Sequence, residues 1–198
     1  MSRNSALDAY RSIYKEMNFE RLELFRFVAE TYPCKEVLYP GSSIHVTPSF
    51  VFPHVVYVDK SAEAKSFFDN QKEVLDFVSL NREYKRKPFL KFIHQDYSQP
   101  LPLRKGSFDL LLSFFAGTVA PICGQYLREG GLLVTNQRKE ADETFELVMA
   151  IRFQGGKYRL ISEADIPAEE AVKKYLRQSH RGLEYSEKEI YFIFEKYV

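Results

Sequence analysis

An α/β domain, a mostly parallel sheet with helices on both of its faces, is predicted by three features of this sequence. The stretch from Glu36 to Ser61, EVLYPGSSIHVTPSFVFPHVVYVDKS, reads as strand, glycine turn, short helix, strand and acidic residue. The run Val55-Val56-Tyr57-Val58 has the β-branched composition of a strand buried on both faces. Beyond it, apolar strands alternate with helical stretches to the end of the chain, the pattern of a layered βα architecture.

The elements follow in order. Leu7, Tyr10, Ile13, Tyr14 and Met17, then Leu22, Leu24, Phe25, Phe27 and Val28, recur at helical spacing, so residues 7–30 are expected to be helical, with Asn18 dividing two helices. Pro33 closes this segment, because the residue before a proline is pushed out of the α region. Val37-Leu38-Tyr39 is the first strand. Thr47-Pro48 looks like a helix start, a capping hydroxyl before a proline at the first helical position, and Pro53 keeps that helix short. Val55–Val58 is the second strand and ends at Asp59. Ser61 can cap a helix carrying Ala64, Phe67 and Phe68, and Val74, Leu75, Phe77 and Val78 form another. Asn81–Pro88 is a basic loop, expected to be solvated surface.

Leu90–His94 is the third strand and ends before Asp96; Leu110–Phe114 is the fourth. Val119–Leu127 is expected to be helical, with Gly130-Gly131 as its C-terminal cap. Leu132–Thr135 is the fifth strand, Thr144–Phe153 a helix, Tyr158–Ile161 the sixth strand, Ala168–Gln178 a helix and Ile190–Phe194 the last strand. No repeat, linker or low-complexity tract divides the chain. A single domain over residues 1–198 is expected, with 1–33 as a helical N-terminal extension.

The 198 residues give room for one full core. Lys plus Arg number 28 against 27 Asp plus Glu, so the long-range field is weak and no nucleic acid or acidic membrane is expected as partner. Phe and Tyr total 30, which points to an aromatic core but to no activity. The first residues lack the apolar centre of a signal peptide, and the longest uncharged run, Leu110–Tyr126, is too short and mixed to span a bilayer. A cytoplasmic location is expected. Cys34 and Cys123 have no metal-type spacing and read as two buried free thiols. No G-x-S-x-G elbow is present, and GSSIHVTPS is not a phosphate-cradling loop, since no G-K-[ST] follows.

Four segments, VLYPGSS, VVYVDKS, FIHQDYSQPLPLRKGSFDLLLS and YLREGGLLVTN, stand in an order that resembles the class I S-adenosylmethionine-dependent methyltransferases. The resemblance spans about Val37 to Tyr197. It implies a Rossmann-like, seven-stranded sheet, mostly parallel with an antiparallel last strand. It also implies S-adenosylmethionine as cofactor, S-adenosylhomocysteine as product and a small-molecule acceptor. Gly41 matches the family's first loop glycine. Asp59 matches the acid that takes the ribose hydroxyls, and its place 20 residues after Tyr39 agrees with that role. Asp96 matches the acid that meets the adenine amino group, with Tyr97 beside it. Ser113 and Phe114 would lie at the end of the fourth strand under the transferred methyl. Asp109 falls at the other end of that strand and reads as structural.

Tyr39, Gly41, Ser42, Ser43, Asp59, Lys60, Asp96, Tyr97, Ser113 and Phe114 are therefore the candidate cofactor-binding residues. Tyr39 stands where the family has an acid, and Ser43 and His45 stand where it has further glycines. A left-handed Ser43 would cost about 1–2 kcal/mol. Several of these residues also have a plainer role: Asp59 can cap the next helix, Asp96 can start a turn, Ser42 and Ser43 can be ordinary turn residues, and Phe114, like Tyr57 and Phe115, can be core. His45 and His54 flank the shortened helix, and either could serve as a general base. His45, His54 and His94 lack metal-ligand spacing. Asn136 and Gln137 could line the acceptor side. The absence of an N-P-P-Y-like tetrapeptide after the fourth strand argues against a nucleic-acid base as acceptor. Two other readings stay open: a related fold that has lost the cofactor and works through contacts, and a nicotinamide-dependent oxidoreductase, which lacks its G-x-G-x-x-G here.

Overall fold

The computed structural model describes residues 5–114, 116–166 and 189–197. The helix expected over Ala168–Gln178 and the candidate Phe115 lie outside the described residues. The strands are β1 (Glu36–Pro40), β2 (His54–Asp59), β3 (Phe89–His94), β4 (Phe108–Ser113), β5 (Leu127–Thr135), β6 (Phe145–Gln154), β7 (Lys157–Ile161) and β8 (Ile190–Lys196). They form one sheet in the order β3-β2-β1-β4-β5-β8-β6-β7. β1 to β5 pair in parallel; β8 runs antiparallel to both β5 and β6, and β7 antiparallel to β6. The chain reaches β3 on one side of β1 and then crosses to β4 on the other. Strand order therefore reverses between β1 and β4, where open α/β sheets leave a crevice at the carboxyl ends of their strands.

The helices are α1 (Ala6–Tyr10), which continues as a π turn over Arg11–Glu16, α2 (Leu22–Thr31), α3 (Pro48–Val51), α4 (Ala62–Asp69), α5 (Gln71–Asn81) and α6 (Ala120–Cys123). Asn18 and Arg21 at positive φ separate the first two, as the break at Asn18 predicts. Ser61 caps α4 through the Ala64 N–H, 3.2 Å away. Thr47 does not cap α3: its own backbone is helical and its hydroxyl instead meets Tyr10 Oη at 2.7 Å.

Alternation along the strands divides the core in two. Val37, Tyr39, Val55, Tyr57, Leu110, Leu112, Leu132 and Val134 face Leu24, Phe25, Phe50, Phe67, Phe77 and Val78 from α2 to α5. Leu38, Val56, Val58, Leu111 and Leu133 face Leu101, Val119, Cys123 and Tyr126. Full burial of each such side chain contributes about 1.5–3 kcal/mol. Helices cover the two faces unequally among the described residues: the first carries α1 to α5, the second α6 and short 3₁₀ turns such as Gly124–Tyr126.

The sheet has eight strands, not seven, and the reason lies in residues 144–161. Residues 144–153 form strand β6, not a helix. Phe145 and Leu147 pack with the second core, a register shift between Leu147 and Met149 follows, and Met149 and Ile151 pack with the first; Gly155 and Gly156, both at positive φ (59° and 82°), make the tight turn into β7. That hairpin adds an antiparallel edge strand beyond the antiparallel last strand already expected. The helix expected over Val119–Leu127 shrinks to α6 and the 3₁₀ turn, and β5 begins at Leu127. Gly130-Gly131 lies inside β5, where the pairing with β4 shifts register, and is not a helix cap. A Cβ on Gly131 would come within 2.8 Å of the Arg128 carbonyl, so this irregularity requires glycine.

Asp109 is structural, as read. Its Oδ2 accepts the Lys35 and Glu36 N–H groups at 2.8 and 3.0 Å, and its Oδ1 accepts Arg128 Nε–H at 2.8 Å. Cys123 is buried, but Cys34 is only half-buried. Burial pushes both thiols up to about 12, so neither is a nucleophile at neutral pH.

Candidate functional site

β1 ends at Pro40, and the chain turns at Gly41 (φ 64°), whose N–H donates to Val58 O at 2.8 Å. The turn is thus laid over the end of β2. A Cβ at Gly41 would fall 2.3 Å from Ala116 Cβ, so only glycine lets the segment after β4 lie against this loop. Ser43 does adopt positive φ (47°), and the Asp59 carboxylate holds it there. Asp59 Oδ2 accepts the Ser43 N–H at 2.8 Å, and Oδ1 accepts the Ser61 N–H at 2.8 Å. One carboxylate therefore fixes both the strained turn and the start of α4. Ser42 is buried, with its Oγ 3.3 Å from Ser43 O.

Asp96 lies at the rim. Its Oδ2 accepts from Lys60 Nζ and its Oδ1 from the Ser98 N–H, both at 2.9 Å. The Lys60 ammonium and the Ser98 donors hold its carboxyl down at about 2, so it is ionised at neutral pH. Tyr97 reaches across the crevice and donates its hydroxyl to Ala116 O. Ala116 is thereby fastened above Gly41 from one side by Tyr97.

The other side of that segment is held by Glu140, which the sequence reading did not single out. It is 7% exposed. Its Oε1 accepts the N–H groups of Val119 (2.9 Å) and Ala120 (3.0 Å), and its oxygens accept the hydroxyls of Ser113 (2.5 Å) and Thr135 (2.6 Å). The end of β4, the start of α6 and the end of β5 all converge on this one carboxylate. It forms no ion pair among the described residues.

Tyr39 is buried and donates its hydroxyl to His45 Nδ1 at 3.0 Å. His45 Nε2 lies 3.0 Å from Glu20 O. A carbonyl can only accept, so the proton sits on Nε2 and Nδ1 accepts from Tyr39. The ring stacks on Tyr14 at 4.5 Å and 9°. Burial, with the Arg21 charge nearby, lowers His45 to about 3. With both nitrogens engaged and no affinity for a proton at neutral pH, His45 is not a general base. His54 fails for a different reason: it opens β2, at the end of the sheet opposite the crevice, where Nδ1 contacts Glu36 Oε2 at 2.5 Å. His94, at the end of β3, meets Lys60 O at 3.1 Å. Among the described residues no group of three His, Cys, Asp or Glu is placed to hold a metal ion.

Phe114 packs edge-on to Tyr39 and Tyr191, at 5.8 and 5.5 Å. Against it lies a second polar cluster absent from the candidate set. The Arg21 guanidinium stands 5.8 Å from the Phe114 ring centre, donates Nε–H to Tyr191 Oη and pairs with Glu189 at 3.4 Å. Tyr191 donates in turn to Glu189, and Asn136 Nδ2 donates to Glu189 Oε1 at 3.3 Å. Glu189 can only accept, which fixes the Asn136 amide and leaves its Oδ1 buried without a hydrogen-bond partner among the described residues. Asn136 follows the end of β5 and is tied to Glu189; Gln137 bonds through its backbone N–H to Thr135 Oγ1. Tyr57 is core, bonded to Ser49 and Val46. A groove of about 610 Å³ between α1 and α5, lined by Leu7, Arg11, Lys72 and Phe77, shares no residue with the crevice.

No protein-family model matches the chain, and no curated protein matches it. Solved structures do. One is a Methanococcus maripaludis protein provisionally assigned as an S-adenosyl-L-methionine-dependent methyltransferase (TM-score 0.56, 12% identity, covering 100% of this chain and 98% of that one). Another is a geranyl diphosphate methyltransferase in complex with SAM (0.53, 11%, 88% and 85%). A third is a Thermotoga maritima SAM-dependent methyltransferase described as a possible histamine N-methyltransferase (0.52, 11%, 96% and 95%). At these identities the likeness is one of fold. The chain has the fold of the class I S-adenosylmethionine-dependent methyltransferases, extended by the β7 edge strand.

Proposed function

We propose that the chain binds S-adenosylmethionine in the crevice and transfers its methyl group to a small-molecule acceptor. The observation that carries this proposal is the placement of Gly41, Asp59, Asp96 and Ser113 after or at the carboxyl ends of β1, β2, β3 and β4, around the point where strand order reverses. The donor set suits the group. Asp59 and Asp96 are acceptors, and each carboxylate has lone pairs beyond those already engaged, for ribose hydroxyls and an adenine amino group. Tyr39, Gly41, Ser42, Ser43, Lys60, Tyr97 and Phe114 surround them. Bound there, the cofactor supplies an electrophilic methyl on a sulfonium. The chain's own residues would hold the reactants in line and exclude water, with Phe114, Tyr39 and Tyr191 as apolar walls. No charged catalytic group is required for such a transfer. Arg21, Glu189 and Asn136 mark the acceptor side.

Entry of the cofactor requires Ala116 to leave Gly41 and Tyr97 to release the Ala116 carbonyl. That contact favours a second reading, a methyltransferase fold that works without cofactor through contacts with other molecules. Thermal unfolding in the presence of S-adenosylmethionine, S-adenosylhomocysteine and NAD decides between them. Saturation at about a hundred times Kd adds about 2.7 kcal/mol, a rise in midpoint of about 5–10 °C. A rise with the first two ligands alone supports the methyltransferase, a rise with NAD alone an oxidoreductase, and no rise with any the cofactor-free protein.

A further inference from the structure

β3 is an edge of the sheet, paired only with β2 among the described residues. Its register fixes which backbone groups face out. Phe89 N–H donates to Pro53 O at 2.8 Å, and Gln95 N–H donates to Asp59 O at 3.2 Å. Backbone groups alternate along a strand, so residues 89, 91 and 93 turn theirs toward β2, while Leu90, Phe92 and His94 turn their N–H and C=O groups away from it. Such a row is a template for another strand unless something covers it. Residues 95–107, which carry the chain from β3 to β4, contain no helix to do so. The chain on either side of residues 167–188 is anchored far off: Arg152 on β6 donates Nη2–H to Asp165 O at 3.4 Å, and Glu189 leads into β8, five strand spacings or roughly 24 Å from β3.

The side chains along this edge carry one sign of charge. Lys85, Arg86 and Lys87 lead into β3 and Lys91 stands within it, with the exposed Phe89 between them in the chain. All four cations are exposed, and none is in an ion pair among the described residues. Leu90 and Phe92 point to the opposite face, half-buried against the first core, with Phe92 stacked on Phe68 at 4.4 Å. A strand laid along the edge would extend that apolar row with every second residue and meet Lys91 with the residues between. A second copy of the chain, pairing through the middle of β3, would bring two Lys91 ammonium groups together, so an acidic partner fits the edge better than a homodimer does.

We propose that the β3 edge docks an extended, acidic peptide segment of a partner protein, which adds to the sheet beside β3. Its backbone bonds the outward groups of Leu90, Phe92 and His94, its apolar side chains lie beside Leu90 and Phe92, and its carboxylates meet Lys91 and the Lys85–Lys87 run. This docking uses none of the candidate cofactor residues and does not depend on the proposed methyl transfer.

The test is an NMR titration of the isotopically labelled full chain with a capped peptide of alternating glutamate and valine, with its lysine counterpart, and with oligo-dT. The glutamate peptide is expected to bind about fivefold or more tightly than the lysine peptide. At saturation it should slow deuterium exchange of the Leu90, Phe92 and His94 amides by about tenfold or more, and those of Lys91 and Ile93, already bonded to β2, by less. Lys87→Glu combined with Lys91→Glu, two changes at exposed side chains, should abolish the preference between the peptides; circular dichroism checks that the variant folds. Equal binding of the two peptides overturns the proposal, and so does binding of neither, in which case Lys91 only deters edge pairing. Shifts confined to residues 85–87, with no slowing at Leu90, Phe92 and His94, overturn strand addition. Tighter binding of oligo-dT than of the glutamate peptide at the same residues makes the surface a nucleic-acid site, and slowing of these amides with protein concentration alone makes it a homodimer edge; either overturns the proposal. Should the variant not fold, the wild-type ranking of the peptides and the pattern of slowed amides decide alone.

Discussion

On the β1–β2 side of the crevice, Asp59 is partly exposed and holds two backbone N–H groups, those of Ser43 and Ser61. On the β4–β5 side, Glu140 is buried and holds two backbone N–H groups and two hydroxyls, while Glu189 nearby is buried against Arg21, Tyr191 and Asn136. Both sides use carboxylates to fix loops. The difference is solvent. Near water a lost partner is replaced, so the first side can deform to receive a ligand. In the buried side a lost partner leaves an orphaned charge or donor, so displacing the groups bonded to Glu140 costs more.

Arg21→Met should have the largest effect. It leaves Glu189 buried without its cation and is expected to cost about 3–5 kcal/mol in urea unfolding, and replacing Glu189 by Leu in the same chain should recover most of that. Glu140→Ala comes next, at about 3 kcal/mol, against about 1 kcal/mol for Asp59→Ala, because four buried donors lose their acceptor in the first case and two backbone groups near water in the second. Equal costs for these two alanines would erase the distinction between the sides.

The pH dependence of stability is a milder probe. His45 titrates at about 3 in the fold, below its ordinary 6.5, so the unfolded chain binds more protons between those values. Its contribution is complete above about pH 6.5 and is lost as the pH falls toward 3, at up to about 1.4 kcal/mol per pH unit. Tyr14, stacked on it, is pushed up to about 12 by burial and does not titrate in that window. His45→Gln should flatten the curve of unfolding free energy between pH 6 and 4; a parallel curve would mean that other groups set it. The smallest effect is expected from Ser43→Gly. It relieves the left-handed serine and should stabilise the fold by roughly 0.5–1 kcal/mol.

The parallel half of the sheet was legible because its strands are mostly apolar runs between turn residues, and Val55–Val58 can hardly be anything else. The antiparallel half was less so. Phe145–Gln154 contains Leu147, Val148 and Ile151 at helical spacing as well as Phe145, Leu147, Met149, Ile151 and Phe153 at every second position, with Val148 and Ala150 blurring the alternation. The Gly155-Gly156 turn is the signal that separates the two. The crevice was legible at Gly41, Asp59 and Asp96 because strand ends and turns announce themselves locally. Glu140 and Arg21 were not, since each sits in a charged run, NQRKEADE and NFERLEL, that looks like solvated surface. Only tertiary packing selects the one charge in each run that turns inward.

The imidazole of His45 also makes the molecule its own reporter. Its Nε2 proton is pinned to the Glu20 carbonyl beneath the Tyr14 ring, so it can meet bulk water only when the residues from Ser5 to Glu20 lift away. A proton so shielded should stand as a slowly exchanging, far-downfield resonance in the one-dimensional NMR spectrum. The rate at which it fades in deuterium oxide then times how often the N-terminal segment detaches from the crevice loop.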